Sequence, residues 1–66
     1  MATDEIDGVL RRVDWAKGFV VIESKSLHRR TIPFDLNPST PDYRQYVGRD
    51  VRCIVEDDSL KSMDLL

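Results

Sequence analysis

The hydrophobic positions of this chain follow the two-residue period of β-strands, in which alternate side chains face the same side. Five segments show this alternation or are rich in β-branched and aromatic residues, and turn-forming residues separate them: 6–15, 19–24, 29–35, 50–56 and 60–66. Pro33 in the third segment has no N–H to donate to a neighbouring strand. The pattern therefore predicts five strands, the third of them at a sheet edge or a bulge.

The first predicted strand carries apolar residues on both of its faces. They divide as follows: Val9, Val13 and Trp15 on one face, Ile6 and Leu10 on the other. Such a strand can bend and contribute to two sheets, and Gly8 is a natural place for the bend. The next three residues, 16–18, are expected to form a turn in which Gly18 takes a positive φ.

One segment, residues 39–48, carries a helical signal. Residues that favour helix ends frame it: Ser39 or Thr40 as the cap, Pro41 as the first helical residue and Gly48 at the C-terminal end. This frame leaves room for about two turns. Tyr43 and either Tyr46 or Val47 would face inward.

These predictions give the order β-β-β-α-β-β within one domain, residues 1–66. A five-stranded, partly open barrel with its helix between strands three and four has the order of the OB-fold. An SH3-like barrel also has five strands, but it usually places its helical turn between the last two. We therefore expect an all-β, OB-fold-like small barrel, with the SH3-like barrel as the alternative.

The composition indicates a folded domain in a reducing compartment. Charged residues make up 33% of the chain and hydrophobic residues 41%, which is typical of a globular domain. Cys53 is the only cysteine, so no intrachain disulfide can form, and its alternation with Val51 and Val55 predicts burial. The acidic segment 1–5 is unlike a leader, and the apolar run 19–22 is far shorter than the ~20 residues of a membrane span. We expect a cytoplasmic protein without a membrane partner.

Charge is distributed unevenly along the chain. The net charge is −2, yet residues 11–52 hold nine Lys and Arg against five Asp and Glu. Acidic ends flank this basic middle segment. The overall charge favours a protein partner, whereas the basic segment favours nucleic acid.

Parts of the chain resemble small nucleic-acid-binding domains with OB-folds. Residues 8–22 resemble the start of cold-shock domains at five positions: Gly8, Lys17, Gly18, Phe19 and Ile22. Residues 47–65 look like the end of an S1-type RNA-binding domain, and the overall layout is similar to bacterial translation initiation factor one. The resemblance implies an OB-fold that binds single-stranded nucleic acid, with Lys17 and Phe19 at platform positions.

The first functional hypothesis is that single-stranded RNA or DNA binds to the hairpin formed by the first two strands. Bases stack on aromatic side chains while basic residues contact phosphates. If Val20 and Ile22 face the core, then Phe19 is exposed and available for stacking. The candidate nucleic-acid-binding residues are Arg11, Trp15, Lys17, Phe19 and Arg30, with Arg12 and Arg29 nearby. The competing interpretation is structural, with the aromatic residues in the core and the arginines protecting strand edges.

The second hypothesis is a protein-docking module. Tyr43, Arg44 and Tyr46 near the predicted helix are of types enriched at interfaces. The hydrophobic C-terminal strand is able to pair with a partner or with a second copy, which predicts a monomer or a weak homodimer.

Catalytic chemistry has little support in the sequence. His28 is the only histidine and lies in a predicted turn, with no nucleophile motif beside it. A β-turn accounts for Asp57, Asp58 and Ser59 without a metal. We expect a non-enzymatic protein that needs no metal and no cofactor.

Overall fold

Five antiparallel strands form one sheet in the order β3-β2-β1-β4-β5 in the computed structural model, which describes residues 2–66. The strands are β1 (Thr3–Asp14), β2 (Phe19–Glu23), β3 (Arg29–Pro33), β4 (Asp50–Glu56) and β5 (Ser59–Leu65). One turn of 3₁₀ helix (Tyr43–Tyr46) lies between β3 and β4. The predicted all-β fold and the order of its elements are therefore confirmed.

Strand β1 divides its pairing between two neighbours. Residues Thr3–Val9 pair with β4, whereas Val9–Asp14 pair with β2, so that Val9 alone pairs with both. The sequence suggested a strand that contributes to two sheets, whereas the two halves of β1 pair with different neighbours in a single sheet. The irregularity in its pairing lies between Leu10 and Arg12, and not at Gly8 as the sequence suggested.

This irregularity changes which side chains of β1 face the core. Leu10 pairs with Ile22 and Val13 pairs with Val20, and both partners are buried. Leu10 and Val13 therefore lie on the same side, which corrects the expected division of the apolar residues between two faces. The cause is the extra residue, Arg11, which shifts the alternation by one position.

Gly8 serves a different purpose from the predicted bend. A Cβ atom built at this position would lie 2.6 Å from the carbonyl oxygen of Glu23 and 2.8 Å from Cγ2 of Ile22. The absence of a side chain therefore lets the end of β2 pass close to β1.

The core lies on the inner side of the curved sheet. Its fully or nearly buried members are Leu10, Val20, Ile22, Ile32, Phe34, Tyr43, Val51, Cys53, Val55, Leu60 and Met63. Cys53 is buried as predicted, and this burial raises the pKa of its thiol to about 11. The apolar residues of β2 and β4 alternate strictly with outward-facing ones, because every second side chain of a strand faces the core.

The two outer strands, β3 and β5, approach each other within 8 Å at some Cα positions. Within residues 2–66, however, no hydrogen-bonded ladder joins them. Closure of the sheet into a barrel therefore stays a prediction.

The helical segment is shorter than predicted and starts differently. Asp42 caps the 3₁₀ helix by accepting a hydrogen bond from the Arg44 N–H at 3.1 Å. Thr40 does not serve as the cap because its hydroxyl donates to the Asp35 carbonyl and accepts from the Asn37 N–H. Tyr43 is buried, whereas Val47 is 47% exposed, so the second inward position belongs to Tyr46.

Candidate nucleic-acid interface

Strands β2, β3 and the second half of β1 form an antiparallel meander with one face turned away from the core. Val20 and Ile22 are fully buried. Phe19 and Val21 alternate with them along β2 and therefore project from the outer side, where each is half-buried. The sequence made the exposure of Phe19 conditional on the burial of Val20 and Ile22, and this condition is met.

We call this outer surface the meander face. It consists of three cross-strand rows: Asp14–Phe19–Pro33, Arg12–Val21–Thr31 and Val9–Glu23–Arg29. Phe19 and Val21 are neighbours on this face of β2, the middle strand of the meander. They form an apolar strip with polar and charged side chains on both sides.

The cations of this face are more exposed than the carboxylates that neutralise them. Glu23 pairs with Arg29 at 3.0 Å and with Arg11 at 3.8 Å, and Asp14 pairs with Arg12 at 3.7 Å. The side chains of both carboxylates are about 15% exposed, whereas those of the three arginines are between 49% and 69% exposed. The guanidinium groups are therefore more accessible to solvent and to ligands than the carboxylates are.

Lys17 lies at one end of the meander face, in the turn between β1 and β2. Its backbone N–H donates to Oδ1 of Asp14 at 2.9 Å, and the residue is exposed. Gly18 has a φ of 78°, as the predicted turn requires. The turn thus places Lys17 next to Asp14, in the row that contains Phe19.

Trp15 belongs to a different cluster. Its ring packs against Phe34, with the ring centroids 5.5 Å apart, and the guanidinium carbon of Arg44 lies 5.1 Å from the Trp15 ring centroid. Phe34 in turn makes an edge-on contact with Tyr43 at 5.2 Å. Trp15 therefore links the hairpin turn to the 3₁₀ helix, and its partly buried side chain is separate from the strip of Phe19 and Val21.

Arg30 also lies away from the meander face. It pairs across the strands with the buried Ile22, so it starts from the core side of the sheet, and its guanidinium lies 3.9 Å from the carboxylate of Asp4. Of the predicted nucleic-acid-binding residues, Phe19 lies on the meander face, Arg11 reaches the same face beside Glu23, and Lys17 lies at its end. Arg12 and Arg29 complete the cationic border of the face.

The residues of the protein-docking hypothesis are largely engaged within the chain. Tyr43 is 3% exposed, and burial raises the pKa of its hydroxyl. Arg44 donates to both carboxylate oxygens of Asp42, at 2.9 and 3.1 Å, and these hydrogen bonds lower the pKa of Asp42. Tyr46 packs partly against the core.

Charge is segregated between the two ends of the sheet. Residues 9–34, which contain the meander, carry six Lys and Arg against two Asp and Glu, whereas the rest of the chain carries four against ten. On the outer side of β1 and β4, Arg52 is held by Glu5 at 3.1 Å and by Asp7 at 3.0 Å. The opposite end of the molecule is therefore acidic.

Comparison of the chain with protein-family models, with curated proteins and with solved structures gives no match. Across residues 2–66 the side chains of His, Cys, Asp and Glu form no group of three or more that is suited to hold a metal ion. No helix within this range has the length and hydropathy needed to cross a membrane.

Proposed function

We propose that this chain is a non-enzymatic binding module that holds single-stranded nucleic acid, RNA in particular, on the meander face. The observation that carries the proposal is the half-buried strip of Phe19 and Val21, bordered by the exposed guanidinium groups of Arg11, Arg12 and Arg29. A base stacks on an aromatic ring regardless of its identity, while arginines contact the phosphates on either side. The face has both kinds of group.

The segregation of charge supports the same assignment. Phosphates are attracted to the meander, where basic residues outnumber acidic ones, and are repelled by the acidic end of the sheet. A chain with a negative net charge can therefore bind a polyanion in one orientation. The resemblance to cold-shock, S1 and initiation-factor domains, all of them OB-folds, points to the same class of ligand.

Titration with a labelled single-stranded RNA of about 12 nucleotides tests the proposal, because this length spans the footprint of one small domain. At low salt we expect saturable binding. Phe19→Ala should weaken it by about 5- to 150-fold, which corresponds to ~1–3 kcal/mol for one stacked base. Lys17→Ala and Arg12→Ala should each weaken it less and should reduce its dependence on salt, because each removes one contact with phosphate.

Matched controls lie at the acidic end of the sheet. Ile54 is a partly buried apolar residue on the outer side of β4, and Lys61 is an exposed cation on β5. Ile54→Ala and Lys61→Ala should leave RNA affinity unchanged. The proposal is wrong if neither RNA nor DNA binds at low salt, or if these controls weaken binding as much as Phe19→Ala and Lys17→Ala do. Equal affinity for a DNA of the same sequence would contradict only the preference for RNA and not the binding of nucleic acid.

Protein docking through the 3₁₀ helix and β5 is the weaker candidate. Tyr43 contributes its side chain to the core, and Arg44 is held by Asp42 and Trp15. A partner at this place would have only Tyr46 and the edge of β5 to contact directly.

A further inference from the structure

The ladder between β1 and β2 contains one extra residue on β1. Leu10 pairs with Ile22. The next pair along the ladder is Arg12 with Val21, so two consecutive residues of β2 face three residues of β1. Within this ladder Arg11 therefore has no partner on β2. The arrangement is a β-bulge, which changes the direction of the side chains next to it.

The bulge brings two consecutive arginines to the same face of the sheet. In a regular strand, successive side chains point to opposite faces, so only one of two neighbours reaches a given surface. Arg12 lies in the row of Val21 on the meander face. Arg11 reaches the same face, where its Nε lies 3.8 Å from the carboxylate of Glu23. The meander face thus has one more cation than a regular β1 would give it.

The core contacts of β1 do not depend on the extra residue. Leu10 and Val13 lie on either side of the two arginines, and both pack in the core. On the other edge of β1, the Leu10 N–H donates to the Arg49 carbonyl at 3.1 Å, and the Gly48 N–H donates to the Leu10 carbonyl at 2.7 Å. These contacts can all be kept when one arginine is removed, because Leu10, one arginine and Val13 then alternate regularly between the two faces.

Both guanidinium groups are available to a ligand. Arg11 lies 3.8 Å from Glu23 and Arg12 lies 3.7 Å from Asp14, and both distances are too long for hydrogen bonds. Exposed ion pairs of this kind are weak. A phosphate can therefore contact either guanidinium group without breaking a hydrogen bond to these carboxylates.

The two guanidinium groups lie beside different parts of the apolar strip. Arg11 is near Glu23, whereas Arg12 is near Asp14, which pairs with Phe19. Glu23 and Phe19 are four residues apart on β2, which corresponds to about 13 Å along a strand. This separation favours contacts with two different phosphates over a single shared phosphate.

We propose that the β-bulge serves binding and not folding, because it adds a second phosphate contact along β1. Arg11 and Arg12 each contact a different phosphate of the bound strand. The sugar–phosphate backbone then follows β1, while the bases lie over Phe19 and Val21. This inference rests on the proposed function and defines how the nucleic acid lies on the meander face.

The salt dependence of RNA affinity, measured with the labelled oligonucleotide, tests this proposal. Each phosphate contact adds about −0.7 to the slope of log K against log salt concentration for a single strand. Arg11→Ala and Arg12→Ala should therefore each make the slope less negative by about 0.7, and the double variant by about 1.4. Arg11→Lys keeps the charge and should keep the slope.

Arg52→Ala is the matched control for Arg11→Ala. The Arg52 side chain is 46% exposed, close to the 49% of Arg11, and it also lies beside carboxylates. It belongs to the acidic end of the sheet, so its removal should leave the salt slope unchanged. An equal change of slope in Arg52→Ala and Arg11→Ala would mean that net charge alone is responsible, and would contradict the proposal.

Deletion of Arg11 separates binding from folding. Deletion of either arginine of the pair yields the same sequence, in which β1 is regular and has one outward arginine. This variant should melt at the temperature of the parent chain or above it, because a regular ladder replaces the disrupted one. Its salt slope should equal that of Arg11→Ala. A deletion variant that is unfolded or strongly destabilised would show that the fold requires the bulge, and would overturn the inference.

Two further results would overturn it: an unchanged slope in Arg11→Ala, or a double variant that changes the slope no more than one single variant does. In both cases the parent chain would still bind RNA and Phe19→Ala would still weaken binding, so the proposed function would stand. A parent chain that binds neither RNA nor DNA would overturn both the function and this inference, before any variant is compared.

Discussion

The guanidinium group of Arg44 lies over the indole ring of Trp15, 5.1 Å from the ring centroid, and so joins the 3₁₀ helix to the turn between β1 and β2. Asp42 holds this guanidinium through two charge-assisted hydrogen bonds, at 2.9 and 3.1 Å. The Arg44 side chain is thus held both by the Asp42 carboxylate and by the Trp15 ring. This contact connects segments that are far apart in the sequence.

We expect Arg44→Ala to expose Trp15 and to destabilise the fold slightly. The loss of a surface cation–π contact costs about 0.5–1 kcal/mol. Trp15 is the only tryptophan, so its fluorescence reports the change directly, and emission should move to longer wavelength. Arg49→Ala removes an exposed arginine a few residues away and should leave the emission unchanged. Identical spectra for the Arg44 variant and the parent chain would contradict the contact.

Gly8→Ala should destabilise the domain by about 1–3 kcal/mol, because a methyl group there meets backbone atoms that have little room to move. Its Cβ would lie 2.6 Å from the Glu23 carbonyl oxygen. Gly48→Ala is the control: Gly48 has a φ of 86° but no atom within 4 Å of the added Cβ, so only backbone strain is introduced. Urea unfolding should therefore rank Gly8→Ala as the less stable variant, and the opposite ranking would argue against the close approach of β1 and β2.

The stability of the domain should fall as the pH rises from about 9 to about 11. The thiol of Cys53 has its pKa raised from 9.0 to about 11, chiefly by burial. Below this pH window the thiol is neutral in both the folded and the unfolded chain. Within it, the thiol ionises in the unfolded chain but not in the folded one, so unfolding becomes more favourable by about 2–3 kcal/mol in total.

The variant Cys53→Val isolates this contribution, because it keeps an apolar side chain of similar size. Urea unfolding at about pH 8 and about pH 10.5 should show a smaller loss of stability in the variant than in the parent chain. Tyr43, whose pKa is also raised by burial, contributes to the loss in the upper part of the window. The same loss in both proteins would place the alkaline sensitivity elsewhere.

Replacing Asp57-Asp58 by Asn-Gly should stabilise the domain by up to about 1 kcal/mol. Glu56 pairs with Ser59, and the two residues between them have φ values of 52° and 64°. A two-residue hairpin loop with both residues at positive φ favours Asn-Gly. Asp35→Gly, at a loop position without a positive φ, should instead be neutral or destabilising, and a thermal melt distinguishes the two outcomes.

The strands were predictable from sequence where alternation is uninterrupted. Strand β4 has its predicted bounds, residues 50–56, because Val51, Cys53 and Val55 face one core without a break. Strand β1 begins at Thr3 rather than at residue 6, since its polar start is held by pairing with β4 and carries no hydrophobic signal. No residue type marks the shift at Arg11, so the faces of β1 were assigned wrongly beyond Leu10.

The candidate site was predictable only in part, because the positions of several of its residues depend on contacts between segments that are distant in the sequence. The alternation of β2 places Phe19 opposite Val20 and Ile22 but does not say which face is buried, and the burial of Val20 and Ile22 in the structure decides it. The positions of Trp15 and Arg30 depend on tertiary contacts with Arg44 and Asp4, which no local pattern encodes. The positive φ of Leu27, 64°, is likewise invisible in the sequence, because its turn resembles an ordinary polar loop.

The divided pairing of β1 also sets an order of assembly. The contacts among β1, β2 and β3 join neighbours in the sequence, whereas pairing of Thr3–Val9 with β4 must close a loop across most of the chain. Because short loops lose less entropy on closure, the meander gains its contacts early during folding and the pairing of β1 with β4 comes later. The residues proposed to bind nucleic acid thus belong to the kinetically early part of the domain, whereas the acidic outer side of β1 and β4 forms only once the last strands have joined.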